Sequence, residues 1–567
     1  MSKPMKKQLS SFPHSFFSKR HIFFLALLLS LVHISSLSAE TNKTFSQLMQ
    51  QPKVLAQITP RDISPKTLHT FYASHHYKQF WTDEKKLNDA GIELIKIVLS
   101  SNKKGLSPKD YHQDLIVKLL ATKKGKIKWK RKLKPQEIAS LELALTNAAL
   151  NYTVHLHRGK LNDETYTPRK VSDVERQNIA PHLFKAATEK KLEDFFSAYE
   201  PTLKLYANLL DLLEEIEEFV EKTSEWKTIP PQETIETLNE EKPSLPLIRS
   251  RLAFWGDLKS RHDNASMLYS EEVKEAIITF QHRHGLESDG KIGRQTIQAL
   301  NVNPQERKNQ IIANLERLRH LPHTLENRYL WVNVPNYSLQ LFENENELIN
   351  MKVIVGQEKR PTPIFHNTIR YIVFSPVWNV PYTIAVEDKV PELIQDPSYA
   401  EKMNLLVYHA ANGKEEIDPT TIEWEKYKDA KEDEFPFRFV QAPGNNNALG
   451  HMKFMFPNKH AVYLHDTSSR SLFQKHHRAF SSGCIRLEKP MWLAQYLLND
   501  KKNWGEKKIF ESMNKPEETT VYIKKPLPIY INYWTAWKNK EDKMEFREDI
   551  YKLDRNISNH LLSTGKH

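Results

Sequence analysis

Two short runs near the C-terminal end of the chain decide its fold: Tyr463-Leu464-His465-Asp466-Thr467 and Ser481-Ser482-Gly483-Cys484-Ile485-Arg486. The apolar residues before His465 predict a strand that delivers this histidine. Cys484 is the only cysteine among the 567 residues. A lone cysteine is commonly a buried, inert side chain. The neighbours of Cys484 are polar and turn-forming instead, and they favour a reactive thiol.

A thiol attacks a carbonyl only as the thiolate, so it needs a base or a cation nearby. His465 is the candidate base, because the step of 19 residues to Cys484 is long enough for the chain to return alongside it. A histidine can take the thiol proton and later assist the acceptor. His476 and His477 compete on proximity alone, but they lie in a charged segment that predicts a loop.

Gly483 and Arg486 complete the candidate site. A glycine before the nucleophile permits a tight turn that aims backbone N–H groups at one point, as an oxyanion hole requires, and Gly483 and Cys484 would form this turn. Arg486 is a candidate for holding the thiolate or a substrate carboxylate; the alternative is a surface arginine. No cluster of side chains has the spacing of metal ligands, so we expect neither a metal nor a cofactor.

The length and charge of the chain limit its organisation and partners. A chain of 567 residues exceeds what one hydrophobic core supports and predicts two to four domains. The formal net charge of +12 is spread along the chain, with one dense basic run at residues 123–132. Such a basic run could bind nucleic acid or an anionic envelope polymer. We interpret it as a solvated loop, and export of the chain argues against a nucleic-acid partner.

The N-terminus predicts export. Residues 1–39 combine a basic part with Lys6, Lys7, Lys19 and Arg20, an apolar run from Ile22 to Val32 and a small-residue cleavage region at 36–39. The apolar run is too short to span a bilayer comfortably, so a cleaved signal peptide is favoured over a retained membrane anchor. A single cysteine in an oxidising compartment has no intramolecular partner for a disulfide, which leaves its thiol free for chemistry.

The first half of the chain predicts helices. Residues 44–243 form the predicted helical N-terminal scaffold domain. Within it, Pro135 stands where a first helical turn begins, and apolar residues recur at helical spacing until Gly159. A proline-rich stretch at residues 230–246 marks a boundary, after which residues 247–302 form a compact unit.

The second half predicts strands. From Tyr329 onward, short β-rich segments are separated by turns, and we assign residues 329–520 to a catalytic domain. Residues 383–440 lose this pattern and are interpreted as an inserted lid between strands. Residues 521–567 form a C-terminal segment. The predicted class is multidomain α+β.

Residues 247–302 resemble the peptidoglycan-binding module of bacterial wall enzymes. The resemblance is carried by Phe280-Gln281, His284-Gly285-Leu286, Asp289-Gly290-Lys291-Ile292-Gly293 and Thr296-Ile297-Gln298-Ala299-Leu300. It implies a small three-helix bundle that binds peptidoglycan. The alternative is a helical spacer that has kept the fold and lost the binding.

The nucleophile region resembles the catalytic domain of L,D-transpeptidases, in the large periplasmic branch. The motifs are Pro443-Gly444, Asn447-Ala448-Leu449-Gly450, Val462 to Thr467 and Ser481 to Arg486. Many family members have a glycine after the histidine and a histidine two residues before the cysteine, where this chain has Asp466 and Ser482. The resemblance implies a mixed β-sandwich with a short helix at the cysteine.

The resemblance also implies a reaction. Cys484 would attack the third residue of a peptidoglycan tetrapeptide stem, release D-alanine and form a thioester, which a diaminopimelate amine of a second stem would convert into a 3→3 cross-link. His465 would act as base and then acid, with Tyr463, Ser482 and Arg486 lining the donor site. Carbapenems would acylate the same thiol.

Two other interpretations of the function stay open. Water or a free D-amino acid as acceptor would make the protein an L,D-carboxypeptidase or an exchange enzyme, and an idle catalytic domain would make it a wall-binding scaffold. The expected location is the periplasm, with membrane contact only if the signal is retained. Enzymes of this kind often work beside glycan polymerases and D,D-carboxypeptidases, although no motif here names either.

Overall fold

The computed structural model describes residues 45–562, except 61, 84–85, 124–125, 163–168, 224, 260–264, 412, 414 and 501. The predicted signal peptide therefore lies outside the described residues. The described residues divide into two compact units, the first comprising residues 45–162, 169–200 and 561–562, the second residues 201–560, with the gaps given above. Among the described residues, no helix combines the length and apolar character needed to cross a membrane.

The first unit is mainly helical. Its helices are α1 Pro52–Ile58, α2 Pro65–Ser74, α3 Asp89–Leu99, α4 Gln113–Leu119, α5 Pro135–Arg158, α6 Asp173–Glu189 and α7 Leu192–Ser197. Its strands are β1 Thr82–Asp83, β2 Lys86–Leu87, β3 Leu120–Lys123 and β4 Lys126–Trp129. Helix α5 begins at Pro135 and ends before Gly159, which has a φ of 75°, so both predicted ends of this helix are confirmed.

The second unit opens with five helices: α8 Lys204–Glu221, α9 Leu245–Phe254, α10 Glu271–Arg283, α11 Arg294–Asn301 and α12 Pro304–Leu318. Helix α8 packs along α12, and Lys308 of α12 pairs with Glu217 of α8 at 2.8 Å. Residues 201–243, which the sequence analysis grouped with the N-terminal region, thus fold with the second unit. Helices α9 to α11 form the three-helix arrangement expected for residues 247–302, although the domain bounds themselves stay predictions.

A mixed sheet follows, built from β5 Arg328–Asn333, β6 Ser338–Glu343, β7 Asn346–Gly356, β8 Phe365–Phe374, β13 Met452–Met455, β14 Leu464–His465, β15 Ala479–Ser481, β16 Ile485–Leu487 and β17 Thr519–Asn532, with β9 to β12 in an insertion described below. The strand order is β15-β7-β16-β14-β13-β8-β17-β5-β6, and β6 also pairs with β7. This last pairing closes the sheet into a barrel, so the expected sandwich is wrong in this respect. The reason is the length of β7, whose first part pairs with β6 and whose last part pairs with β16 and β15.

The barrel encloses the apolar core of this region. Strand residues such as Leu330, Val353, Phe454, Leu464 and Ile485 face inward and are fully buried. Two helices, α13 Pro490–Leu498 and α14 Glu506–Met513, follow β16 along the chain, and the C-terminal segment adds β18 Ala536–Lys538, β19 Met544–Phe546 and α15 Leu553–Leu562.

Residues 375–451 form an insertion between β8 and β13. It contains a separate four-stranded sheet of β9 Trp378–Asn379, β10 Leu405–His409, β11 Glu416–Ile417 and β12 Phe437–Gln441, with helical residues at 382–395 and 399–402. These elements bury their own core, which includes Trp378, Val407 and Phe439. The insertion begins before the predicted residue 383, because β9 already pairs with β12.

Candidate active site

Strands β14 and β16 bring the candidate catalytic segments side by side. The two strands are parallel, with Leu464 opposite Ile485 and His465 opposite Arg486. Leu464 and Ile485 face the barrel core. Because side chains alternate along a strand, His465 and Arg486 turn to the opposite side. Tyr463 and Cys484 stand just before these two strands, and the charge of Arg486 acts on the Cys484 thiol. The sequence prediction that His465 and Cys484 belong to neighbouring segments is therefore supported by the strand register.

Cys484 lies in a turn between β15 and β16, which we call the nucleophile turn (residues 481–484). Gly483 has a φ of +110°, a conformation that favours glycine. The Ser481 hydroxyl donates to the Cys484 carbonyl oxygen and accepts from the Gly483 N–H at 3.2 Å. The short helix expected at the cysteine is not formed, because this left-handed residue and the Ser481 bonds produce a tight turn that leads straight into β16.

The thiol of Cys484 contacts Tyr463. Burial raises the pKa of the thiol to about 11, while the backbone and phenol groups of Tyr463 and the positive charge of Arg486 act in the opposite direction. Burial and the neighbouring thiol raise the pKa of Tyr463. Tyr463 also packs against both the barrel core and the core of the insertion, so this ring connects the insertion to the Cys484 thiol.

His465 is held by backbone groups. Its Nδ1 bonds the carbonyl oxygen of Asp466 at 2.6 Å, so this nitrogen carries the proton in the neutral ring. The backbone of Leu449, which belongs to the insertion core, also bonds the ring. Burial, and after it the charge of Arg486, lowers the pKa of the imidazole to about 3.

Cys484 and His465 are therefore both neutral at pH 7, as thiol and imidazole. The hydrogen bonds described for each side chain go to other groups, those of His465 to the backbone of Asp466 and Leu449 and those of Cys484 to Tyr463. The sequence analysis expected the imidazole to ionise the sulfur. Burial opposes that charge separation in the resting state.

Arg486 carries a buried charge beside both groups. Among the described residues, no carboxylate pairs with Arg486, and its Nε is buried without a hydrogen-bond partner. Burial lowers the pKa of this guanidinium. A buried, unpaired cation is costly, and an incoming anion would relieve that cost.

Ser482 and His477, both named as candidates from the sequence, have defined contacts in the structure. The Ser482 hydroxyl accepts a hydrogen bond from Arg360 at 2.8 Å. His477, a competitor for the role of base, packs edge-on against Tyr337 and Phe480. In the part of the chain that the structure describes, no group of three or more His, Cys, Asp or Glu side chains is placed to hold a metal ion.

Three groups that contact the candidate site were not predicted from the sequence: Arg360, Leu449 and the backbone carbonyl of Asp466. A backbone carbonyl leaves no sequence signal. Leu449 was quoted in a motif without a role. Arg360 stands in the charged loop after a buried strand, beside Pro361, and that position was a signal for a functional loop.

The raised thiol pKa has a measurable consequence. We expect the rate of Cys484 alkylation by iodoacetamide to rise about tenfold per pH unit from pH 7 and to level off near pH 11, because only about 10⁻⁴ of the thiol is ionised at pH 7. The chain has one cysteine, so labelling followed by intact mass reports this site alone. The urea-unfolded chain is the control and should titrate near 8.5. A folded-state midpoint at or below 8.5 would contradict the expectation.

Family models match three parts of the chain. Residues 327–523 match YkuD, described as the L,D-transpeptidase catalytic domain. Residues 66–213 match a model described as a scaffold domain. Residues 242–300 match a model described as "Putative peptidoglycan binding domain".

A Haemophilus influenzae protein named "Putative L,D-transpeptidase" is 34% identical over 278 residues, covering 48% of this chain and 55% of that protein. The chain thus spans about half the length of this curated relative. Solved structures with detectable similarity include an L,D-transpeptidase from Stackebrandtia nassauensis (12% identity, 53% of this chain and 95% of that chain, TM-score 0.21). Another is Mycobacterium tuberculosis L,D-transpeptidase 1 (13% identity, 36% and 61%, TM-score 0.15). TM-scores this low do not establish a shared arrangement.

The match to the catalytic-domain model, residues 327–523, includes strands β14 and β16. These strands and the nucleophile turn carry the single cysteine, the histidine held by backbone groups and the arginine that no carboxylate pairs with among the described residues. Residues 327–523 thus match the L,D-transpeptidase catalytic domain of the YkuD family, and residues 242–300 match a domain described as a putative peptidoglycan-binding domain.

Proposed function

We propose that this protein is an L,D-transpeptidase that forms 3→3 cross-links in peptidoglycan through a thioester on Cys484. The observation that carries the proposal is that His465 lies opposite Arg486 on neighbouring strands, while Tyr463 and the charge of Arg486 both act on the Cys484 thiol. The match to the catalytic-domain model supports acyl transfer between peptides as the reaction class. The match to the peptidoglycan-binding model supports wall peptides as the substrate class.

The acylation step assigns one role to each group. The Cys484 sulfur attacks the carbonyl of the third stem residue while its proton passes to Nε2 of His465, the ring nitrogen that does not bond the Asp466 carbonyl. The N–H of Cys484 faces the developing oxyanion, since the Gly483 N–H already donates to Ser481. Collapse of the intermediate breaks the peptide bond, and the imidazolium returns its proton to the departing amine of D-alanine. A thioester on Cys484 remains.

The second step restores the enzyme. The side-chain amine of a diaminopimelate on a neighbouring stem attacks the thioester carbonyl and gives its proton to the now neutral His465. The carbon–sulfur bond breaks, the sulfur regains the proton, and the two stems are joined by a new amide bond. In the resting geometry, the Asp466 carbonyl fixes the ring so that Nε2 stays the basic nitrogen throughout.

Arg486 is proposed to bind a substrate carboxylate. We expect Arg486→Gln to raise the KM for a tetrapeptide donor about 10- to 100-fold, because a charge-assisted hydrogen bond to the buried guanidinium is lost. Arg486→Lys, which keeps the charge without the planar fork, should lie in between. Steady-state kinetics with free and amidated donor peptides would test this. An equal loss with amidated donors would contradict a carboxylate contact.

The proposed setting is the periplasm, reached through the predicted signal peptide at residues 1–39. Tetrapeptide stems would be the donor, and the D,D-carboxypeptidases that trim pentapeptides would be the class of enzyme that supplies them. No interaction surface for such an enzyme or for a glycan polymerase is assigned.

The test is muropeptide analysis after incubating the purified chain with tetrapeptide-rich sacculi. We expect new dimers whose mass and fragmentation identify a bond between two diaminopimelate residues, with one free D-alanine per dimer. Tripeptides without dimers would indicate a carboxypeptidase, and stems with a replaced terminal residue an exchange enzyme. Sacculi that are bound but unchanged would leave a wall-binding scaffold and overturn the proposal.

A further inference from the structure

The loop that follows β7, residues 357–362, is built against the nucleophile turn. The Gln357 N–H donates to the Ser481 carbonyl oxygen at 2.9 Å. The buried Thr362 hydroxyl donates to the Gly483 carbonyl oxygen at 2.8 Å and accepts from the Gly356 N–H at 2.9 Å. This Arg360 loop therefore fixes the backbone on both sides of Ser482.

Glycine at position 356 makes this close approach feasible. A Cβ there would lie 2.3 Å from the carbonyl oxygen of Arg360, which is closer than real contacts allow. The Tyr551 hydroxyl closes the base of the loop, since it donates to the Gly356 carbonyl oxygen and accepts from the Thr362 N–H at 3.2 Å. The loop is thus a rigid support from which the Arg360 side chain extends.

Arg360 joins three parts of the molecule. One guanidinium nitrogen donates to the Ser482 hydroxyl at 2.8 Å. The same group forms a two-pronged ion pair with Asp388, at 2.8 and 2.9 Å, and a further ion pair with Glu387. Glu387 and Asp388 lie in the π-helical turn Ala385–Lys389 of the insertion. A single side chain therefore connects the insertion to the residue two positions before Cys484.

The other contacts of the insertion with the site are of a different kind. Tyr463 packs on the insertion core and contacts the thiol, and the backbone of Leu449 bonds His465. Among the contacts of the insertion with the site described above, the Arg360 pairs alone are ionic. Two-pronged arginine pairs have a preferred geometry and add orientation as well as attraction.

We propose that Arg360 is a positioning residue that latches the insertion over the nucleophile turn. Its pairs with Glu387 and Asp388 keep the insertion closed on Cys484, and its bond to Ser482 fixes the turn that carries the sulfur. The proposal rests on Cys484 being the reactive thiol of the proposed function, but it does not depend on which acceptor takes the acyl group.

The first test measures alkylation of Cys484 by iodoacetamide at pH 8, which needs no peptide substrate. We expect Arg360→Gln and the double variant Glu387→Gln/Asp388→Asn each to raise the alkylation rate about fivefold, because the closed state loses its ion pairs. The variant that combines all three changes should show the same fivefold increase, since both sets of changes break one interaction. Independent, multiplying effects or unchanged rates would overturn the proposal.

The matched control is Lys402→Gln. Lys402 pairs with Asp396 at 2.7 Å within the same insertion, and no contact links this pair to the nucleophile turn in the described structure. Its alkylation rate should equal that of the unmodified chain. Thermal unfolding midpoints show whether each variant folds. If Arg360→Gln fails to fold, the acidic double variant still tests the latch, because Glu387 and Asp388 are 61% and 42% exposed.

Ionic strength gives a readout that a purely structural arginine would not move. The pairs are partly exposed, so raising salt from about 0.05 to about 1 M screens them and should increase alkylation of the unmodified chain severalfold. Iodoacetamide is neutral, so salt does not steer the reagent. The rate for Arg360→Gln should not respond to salt. A salt response that persists in this variant would contradict the latch.

Turnover separates the two functions of Arg360. Arg360→Gln loses both the closed insertion and the Ser482 contact, and we expect its kcat for cross-linking to fall about tenfold. The acidic double variant keeps the Ser482 contact and should lose less than half of that effect in kcat, with a larger change in KM. Should the protein form no cross-links at all, the alkylation data would still decide the latch.

Discussion

Cys484→Ala is expected to abolish cross-linking, lowering the formation of 3→3 dimers from tetrapeptide muropeptides by at least about 10³-fold. The covalent intermediate requires the sulfur, and the chain offers no second thiol to replace it. The remaining members of the site can still bind a stem peptide. Loss of turnover should therefore occur without loss of substrate binding.

The fold of this variant should be retained. The Cys484 side chain is small, and the turn around it is set by Gly483 and the Ser481 bonds, which the substitution leaves in place. Thermal unfolding should show a midpoint within a few degrees of the unmodified chain, and sedimentation with sacculi should be unchanged. Dimer formation by the folded variant at more than about one hundredth of the normal rate would refute the assignment of Cys484 as nucleophile.

The common orientation of His465 and Arg486 follows from strand alternation, which is a local property. Leu464 and Ile485 are apolar and buried, so the residue after each of them faces away from the core. The helix that begins at Pro135 and ends before Gly159 was predictable for the same kind of reason, since its start, its apolar spacing and its end all depend on residues within the helix or next to it. The position of Arg360 beside Ser482 depends on a pairing between β7 and β15 far apart in sequence, and no local pattern states it.

The barrel was not predictable from strand patterns alone. An alternating strand shows which face is buried but not which strand lies on each side. Closure depends on β7 and β17, which are long enough to pair with different neighbours along their lengths. The electrostatics were not predictable either, because the neutral state of both Cys484 and His465 is produced by burial rather than by residue type.

His465→Asn should lower kcat/KM for cross-linking about 10²- to 10³-fold. An asparagine amide can still donate to the Asp466 carbonyl, in the position of Nδ1, but it cannot accept the thiol proton. His465→Ala removes both functions. Equal losses in the two variants would assign the effect to proton acceptance, whereas near-normal activity of the asparagine variant would contradict the role of His465 as base.

The resting geometry makes this effect specific to turnover. The groups that shift the thiol pKa are the surrounding protein, Tyr463 and Arg486, so the alkylation midpoint near pH 11 should stay in place in His465→Asn. The imidazole stays neutral down to about pH 3, so acylation by the unmodified chain should show no loss as the pH falls through 6.5. Single-turnover acylation between pH 4 and 8 measures this. A loss centred near 6.5 would mean that His465 is solvated in the working state and that the insertion has opened before the proton moves.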